Sequence, residues 1–212
     1  MVFKLWPKQQ EIVDKVLAYK YSSVVRLGFR SGKTTMAMWL TNEYLKMDKN
    51  VVYVTSTLDM ARTLFNVYVD LFDVASGCCF VKDLKVNYYA TKCMQEVCDA
   101  SVKFRSGESF LNMDEGYDVV IVDEPDLLHF KSVARKSLFC SEIIKCNYGG
   151  DVKVVLIGTP AVSDDTSLMY SLPGNVIKMS TCEVNPLFTR EMLEEEFKFA
   201  IDRIKRDFLI ED

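Results

Sequence analysis

Residues 22–40 read SSVVRLGFRSGKTTMAMWL, and this stretch decides the fold. Its first part, Ser22 to Gly28, is a short apolar run of the kind buried on both faces in a parallel sheet. Its second part opens a helix over 33–47, with Met36, Trp39, Leu40 and Tyr44 on one side. Between them stand Gly28, Phe29, Arg30, Ser31, Gly32, Lys33, Thr34 and Thr35. A strand that turns through glycines into a helix beginning Lys-Thr-Thr is the setting of a phosphate-binding loop. Glycines let backbone N–H groups converge on phosphate oxygens, and the helix N-terminus adds partial positive charge. Lys33 is placed to reach the β- and γ-phosphates of a nucleotide, and the Thr34 hydroxyl to take a magnesium position. The usual pattern has a glycine five residues before the Gly-Lys pair. Leu27 holds that position here and Gly28 follows it, so the loop is a variant.

Three further signals lie outward from this loop. Val119-Val120-Ile121-Val122 delivers Asp123 and Glu124 to a strand end. An acid there can hold magnesium, and its neighbour can take a proton from an attacking water. Val154 to Gly158 is another buried run, and it ends at Thr159-Pro160. Thr159 is positioned to touch the γ-phosphate or the water. Leu5-Trp6-Pro7-Lys8-Gln9 precedes the first helix. The Gln9 amide offers a donor and an acceptor together, which matches the edge of adenine, with Trp6 near enough to stack.

The remaining pattern predicts strands over 50–56, 101–106, 117–123, 151–158 and 175–181 besides 22–28. Helices are predicted over 8–20, with Pro7 at the first turn, and over 58–72, with Met60, Ala61, Leu64, Val67, Tyr68 and Leu71 on one face. Alternating strands and helices predict an α/β fold with a mostly parallel sheet, its ligand beyond the carboxyl ends of the strands. A last helix, about 189–208, carries Leu193, Phe197, Ala200, Ile201, Ile204 and Phe208, and its acidic start and basic end suit the helix dipole. The core is expected over 1–185, closed by 186–212. Residues 75–100 show no readable role.

The chain has 212 residues, of which 49% are apolar, and a formal charge of −4. This excludes disordered, fibrous and coiled-coil classes and argues against coating nucleic acid by charge alone. No apolar run approaches the length of a membrane helix, and the start does not read as a secretory signal, so an intracellular protein is expected. Seven cysteines and a single histidine make no zinc pattern, and reduced thiols are expected.

Taken together, these motifs resemble the ATPase domain of the viral terminase large subunit, the DNA-packaging motor of tailed viruses. Leu5-x-Pro7-x-Gln9 resembles its adenine motif, and Gly28-x-Arg30-x-Gly32-Lys33-Thr34 its arginine-bearing Walker A. Asp123-Glu124 resembles its Walker B and catalytic glutamate, Gly158-Thr159-Pro160 its coupling motif, and Asn185-Pro186 the segment that closes the domain. The family's arginine usually stands three residues before the second glycine, where this chain has Phe29.

The resemblance implies a P-loop NTPase of the additional-strand, catalytic-glutamate (RecA-like) type, with the Thr159 strand between those of the P-loop and Asp123. It implies ATP and Mg2+ as cofactors, with Glu124, Lys33, Arg30 and Thr159 catalytic and Thr34 and Asp123 on the metal. It implies double-stranded DNA as partner and a homo-oligomeric ring, typically a pentamer, on a capsid portal in the host cytoplasm. A small terminase subunit or separate nuclease is a further partner, since the nuclease that usually follows is not in this sequence. An arginine from a neighbouring subunit is also implied; Arg62, Arg135 and Arg190 are open candidates. The alternatives are a superfamily 2 helicase fragment, since Asp123-Glu124-Pro125-Asp126 resembles a DExD box, and a nucleotide switch or small-molecule kinase.

Overall fold

The apolar runs become the centre of one eight-stranded sheet, seen in a computed structural model of the chain. It describes residues 4–72, 78–83, 88–93, 100–113, 116–159, 167–196 and 208–209, with 78–83, 88–93 and 196 described by backbone. The elements run α1 (Pro7–Ala18), β1 (Ser23–Leu27), α2 (Lys33–Lys46), β2 (Val51–Thr55), α3 (Leu58–Phe72), β3 (Cys78–Asp83), β4 (Tyr88–Cys93) and β5 (Ser101–Ser106). There follow α4 (Gly107–Phe110), β6 (Val119–Asp123), α5 (Val133–Gly149), β7 (Lys153–Gly158), α6 (Leu168–Ser171), β8 (Asn175–Met179), α7 (Thr181–Val184) and α8 (Arg190–Glu196).

The strand order is β3-β4-β5-β2-β6-β7-β1-β8. The six strands from β5 to β8 are parallel, and β3 and β4 add an antiparallel edge pair. The expected α/β class and the expected position of the Thr159 strand both hold, since β7 pairs with β1 on one side and β6 on the other. The six expected strands form, 101–106 with the expected bounds and the others trimmed by one or two residues at one or both ends. The β3–β4 pair and the 17-residue α5 are elements that sequence patterning does not reveal.

Alternation along the central strands divides the core. Tyr53, Ile121, Val155 and Ile157 face one side and pack with Ile12, Val13, Met36 and Leu40 of α1 and α2. Val52, Val54, Val120, Val122, Val154 and Leu156 face the other and pack with Phe139 and Ile143 of α5. Burying a side chain of this size contributes about 1.5–3 kcal/mol. On α3 the buried set is Ala61, Leu64, Phe65 and Tyr68, an i, i+3, i+4, i+7 stripe. Met60 and Val67, expected on that face, are exposed instead. Leu193 of α8 is buried as expected, whereas Phe197, Ala200, Ile201 and Ile204 lie outside the described residues.

The same alternation positions the functional edge. Asp123 continues the 119, 121 parity, so its carboxylate emerges on the α2 side, below the start of that helix. Among the described residues no helix is long and apolar enough to cross a membrane. Cys140, Cys146 and Cys182 are half-buried free thiols.

Candidate nucleotide site

The loop from Gly28 to Gly32 is held by its carbonyls. Lys33 Nζ donates to Gly28 O at 2.9 Å, Thr181 Oγ1 to Phe29 O at 2.6 Å, Asn185 Nδ2 to Arg30 O at 2.7 Å and Gln9 Nε2 to Ser31 O at 2.9 Å. Four consecutive carbonyls are thus claimed by side chains; the Gly28 N–H donates to Met179 O at 3.4 Å, and the N–H groups after it are the turn's donors toward a ligand. Arg30 and Gly32 both have left-handed backbone, φ 60° and 79°. At Gly32 the reason for glycine is double, because a Cβ there would stand 2.3 Å from Gln9 Nε2. At Gly28 the reason is a close approach: a Cβ would lie 2.3 Å from both Phe208 O and Thr181 Oγ1.

Lys33 is buried, and its ammonium lies 3.2 Å from Glu124 Oε1. Glu124 follows β6 in a left-handed conformation, φ 52° and ψ 63°, which a glutamate adopts only under constraint. The constraint is visible. The Glu124 N–H donates to Ile157 O at 2.8 Å, and Glu124 Oε2 accepts from the Thr159 N–H at 2.8 Å. The glutamate is therefore held between the loop lysine on one side and the end of β7 on the other.

Asp123 lies beside it, buried. Its Oδ2 accepts from Thr34 Oγ1 at 2.9 Å and from Tyr53 Oη at 2.7 Å. Among the described residues its Oδ1 is buried with no hydrogen-bond partner, as are Ser31 Oγ and Thr159 Oγ1. Burial pushes the Asp123 carboxyl up to about 6, against hydrogen bonds from Tyr53 and Thr34 that pull it down. Burial, reinforced by the Asp123 charge, holds the Tyr53 hydroxyl well above its ordinary range, so it stays protonated and donates. Unpartnered buried oxygens are costly in a folded protein. Three of them at the carboxyl edge of β1, β6 and β7 mark a place built for polar company. One carboxylate and one hydroxyl, with phosphate oxygens to come, suit magnesium, which keeps several waters and takes few protein ligands.

The structure brings together Lys33, Thr34, Asp123, Glu124 and Thr159 at one sheet edge, with Ser31 and Gly32 in the turn beside them. It does not bring Arg30 to them. The exposed Arg30 guanidinium lies 5.9 Å from the Phe188 ring. Arg26 is also engaged elsewhere: it donates to Met169 O at 2.7 Å and lies over the Tyr170 ring at 4.2 Å. Phe29 is half-buried, its ring 5.4 Å from Lys33 Nζ and edge-on to Phe208. Thr35 is half-buried in the first turn of α2. Trp6 caps α1.

Gln9 is engaged within the protein in this structure. Its amide is buried, Oε1 accepting from the Trp6 N–H at 3.0 Å and Nε2 donating to Ser31. Both ends of the amide are used inside the protein, one in the cap of α1 and the other as a prop under the turn. Three residues of the site carry no sequence signal of their own role: Tyr53, Thr181 and Asn185. Of these, Asn185 belongs to the Asn185-Pro186 pair and Tyr53 to the segment 52–57 at β2, and neither segment marks what its side chain does.

No family model and no curated protein matches the sequence. Solved structures do match in shape. The Thermus phage P74-26 large terminase ATPase domain superposes with a TM-score of 0.63 at 16% identity, over 97% of this chain and 93% of that one. The fold is that of a phage terminase ATPase domain. The large terminase of a second thermophilic bacteriophage gives a TM-score of 0.60 at 14% identity, over 97% of this chain and 52% of that one. The chain thus spans about half the length of that second protein. The same large terminase in complex with ATP-gamma-S matches with a TM-score of 0.60 at 13% identity, covering 98% of this chain and 52% of that one.

Proposed function

We propose that this chain is the ATPase domain of a viral terminase large subunit, and that it hydrolyses ATP with magnesium to drive double-stranded DNA into a capsid. One observation carries the reading: the buried lysine that follows the glycine turn is paired with the glutamate after β6, beside three buried oxygens that have no partner among the described residues. That arrangement has little use in a folded chain without a polyanionic ligand.

Each residue then has a task. The turn's N–H groups and Lys33 bind the phosphates. Thr34 and Asp123 would hold a magnesium ion, which would supply charge neutralisation for the phosphates. Lys33, drawn to phosphate, gives up Glu124, and the freed carboxylate takes the proton of the attacking water. Thr159 shares a hydrogen bond with that same carboxylate, so the end of β7 senses whether Glu124 is engaged. Arg30 closes on the γ-phosphate only if its side chain swings away from Phe188. Residues 1–185 form the catalytic core, and 186–212 close it. The working assembly is a ring on DNA at a capsid portal, and a small terminase subunit or a nuclease acts with it.

The test is phosphate release measured with and without duplex DNA. ATP hydrolysis that duplex DNA stimulates supports the motor. Absence of any nucleotide binding sinks it. A helicase-like reading has one observation of its own: Ser167 Oγ donates to Asp126 Oδ2 at 2.6 Å, which gives the fourth residue of Asp123-Glu124-Pro125-Asp126 a partner beyond residues 160–166. Strand separation on a forked duplex would favour that reading over packaging.

A further inference from the structure

Tyr53 stands mid-strand in β2 among valines and is wholly buried. Its ring stacks on Phe104 with centroids 5.0 Å apart and planes 23° from parallel. Phe104 is held in turn by Phe65 and Tyr68. Packing alone asks only for the ring; a buried hydroxyl costs free energy unless it is hydrogen-bonded. Here the hydroxyl donates to Asp123 Oδ2 at 2.7 Å. Thr34 donates to the same oxygen, and Oδ1 is buried without a partner among the described residues.

The two donors are not equivalent. Thr34 has one hydroxyl on a short side chain at the helix start, and the nucleotide reading also assigns it to the cation. The Tyr53 hydroxyl sits at the end of a rigid ring locked by its stack, so it is the donor whose position does not change. We propose that Tyr53 is a positioning residue for the metal-binding carboxylate. It fixes one oxygen of Asp123 inside the protein and thereby presents the other to the cation that accompanies the nucleotide. The inference rests on the nucleotide reading above and adds to it a residue from β2, a strand that carries none of the phosphate-binding motifs.

The experiment compares Tyr53→Phe with the wild type. A fluorescent ATP analogue is titrated first in chelator and then with increasing Mg2+, and Mn2+ binding is followed by paramagnetic resonance. The expected result is metal-free nucleotide affinity within about twofold of wild type, with half-saturation by Mg2+ or Mn2+ raised about tenfold, as for other supports of a metal ligand. Phe65→Leu is the packing control. It disturbs the cluster around Phe104 without removing the hydroxyl, so it should lower the melting temperature and leave metal half-saturation unchanged. Equal metal half-saturation in Tyr53→Phe and wild type would overturn the proposal, and so would an equal shift in Phe65→Leu. If the wild type itself binds nucleotide with no dependence on divalent metal, the nucleotide reading falls first and this inference with it.

Discussion

Lys33 Nζ lies 3.2 Å from Glu124 Oε1, so the lysine that opens α2 and the glutamate after β6 form an ion pair across the site. The pair keeps both groups satisfied at a largely buried edge. On the proposed reading, a triphosphate would outcompete a single carboxylate for the ammonium, so ligand binding and release of the proposed base would become one event. Replacing Glu124 by Gln removes the charge that pairs with Lys33 and, on the proposed mechanism, the base that would take the water's proton. Nucleotide affinity should be retained or rise, while phosphate release falls at least ~100-fold. Turnover at the wild-type rate would remove Glu124 from the chemistry.

Lys33→Ala makes the opposite prediction. It removes the side-chain cation that lies at hydrogen-bond distance from the turn's own backbone, at Gly28 O. A charge-assisted bond to phosphate contributes about 1.5–3 kcal/mol, so affinity for ATP should fall by roughly 10- to 100-fold. Equilibrium titration with a fluorescent nucleotide reads this directly, and an unaltered dissociation constant contradicts the phosphate-loop assignment.

The parts of this site that are legible in the sequence are the local ones. The strand–turn–helix at 22–40 and the acids ending β6 announce themselves within a few residues. Their supports do not. Thr181 meets Phe29, and Asn185 meets Arg30, across more than 150 positions of sequence, |i−j| 152 and 155. Tyr53 meets Asp123 only because β2 and β6 are neighbours in a register that pairs Tyr53 with Ile121, two residues before the acid. A tyrosine amid valines is the available hint, and it needs the register to be read. Helix α5 escapes sequence reading because its buried positions come down to Phe139 and Ile143, too few to raise a periodic signal over 17 residues. The β3–β4 pair sits at the sheet edge, where continuous apolar runs are not required.

Thr181→Val tests the carbonyl rack under the loop. Valine keeps the shape of the wholly buried Thr181 and deletes the 2.6 Å bond to Phe29 O. Leaving that carbonyl without its donor should cost about 1–3 kcal/mol of stability and weaken nucleotide binding as the turn relaxes. Asn185→Ala should act in the same direction. The two carbonyls are adjacent, so the double variant should lose less than the sum. Denaturant titration of the four proteins measures the difference; strict additivity would mean that the two bonds act independently.

Gly32→Ala should destabilise for two separable reasons. Its φ of 79° strains any L side chain, by roughly 1–2 kcal/mol, and its Cβ would press on Gln9 Nε2. Gln9→Ala removes the second obstacle and not the first. The glycine substitution should therefore cost less in the Gln9→Ala background than in the wild type, a positive coupling in a double-mutant cycle. If the cost is the same in both backgrounds, the amide is not wedged beneath the turn.

The far end of β7 offers a pH test that leaves the nucleotide edge alone. Lys153 begins this strand and Thr159 follows its last residue. Lys153 Nζ donates to Val16 O at 2.6 Å and to Tyr19 O, and lies 5.3 Å from the Tyr44 ring. Burial lowers its pKa from 10.5 to about 8. Two carbonyl bonds use two protons, so both survive when the ammonium becomes an amine. Below pH 8 the folded and unfolded chains are both protonated here, and the folded state bears the burial of the charge. Between about 8 and 10.5 the unfolded chain binds more protons, so this group adds stability as pH rises. The melting temperature of the wild type should therefore climb relative to Lys153→Met from about pH 8 to about pH 10, with nucleotide affinity equal in the two proteins at neutral pH. A constant difference across that range would mean that Lys153 titrates as in the unfolded chain.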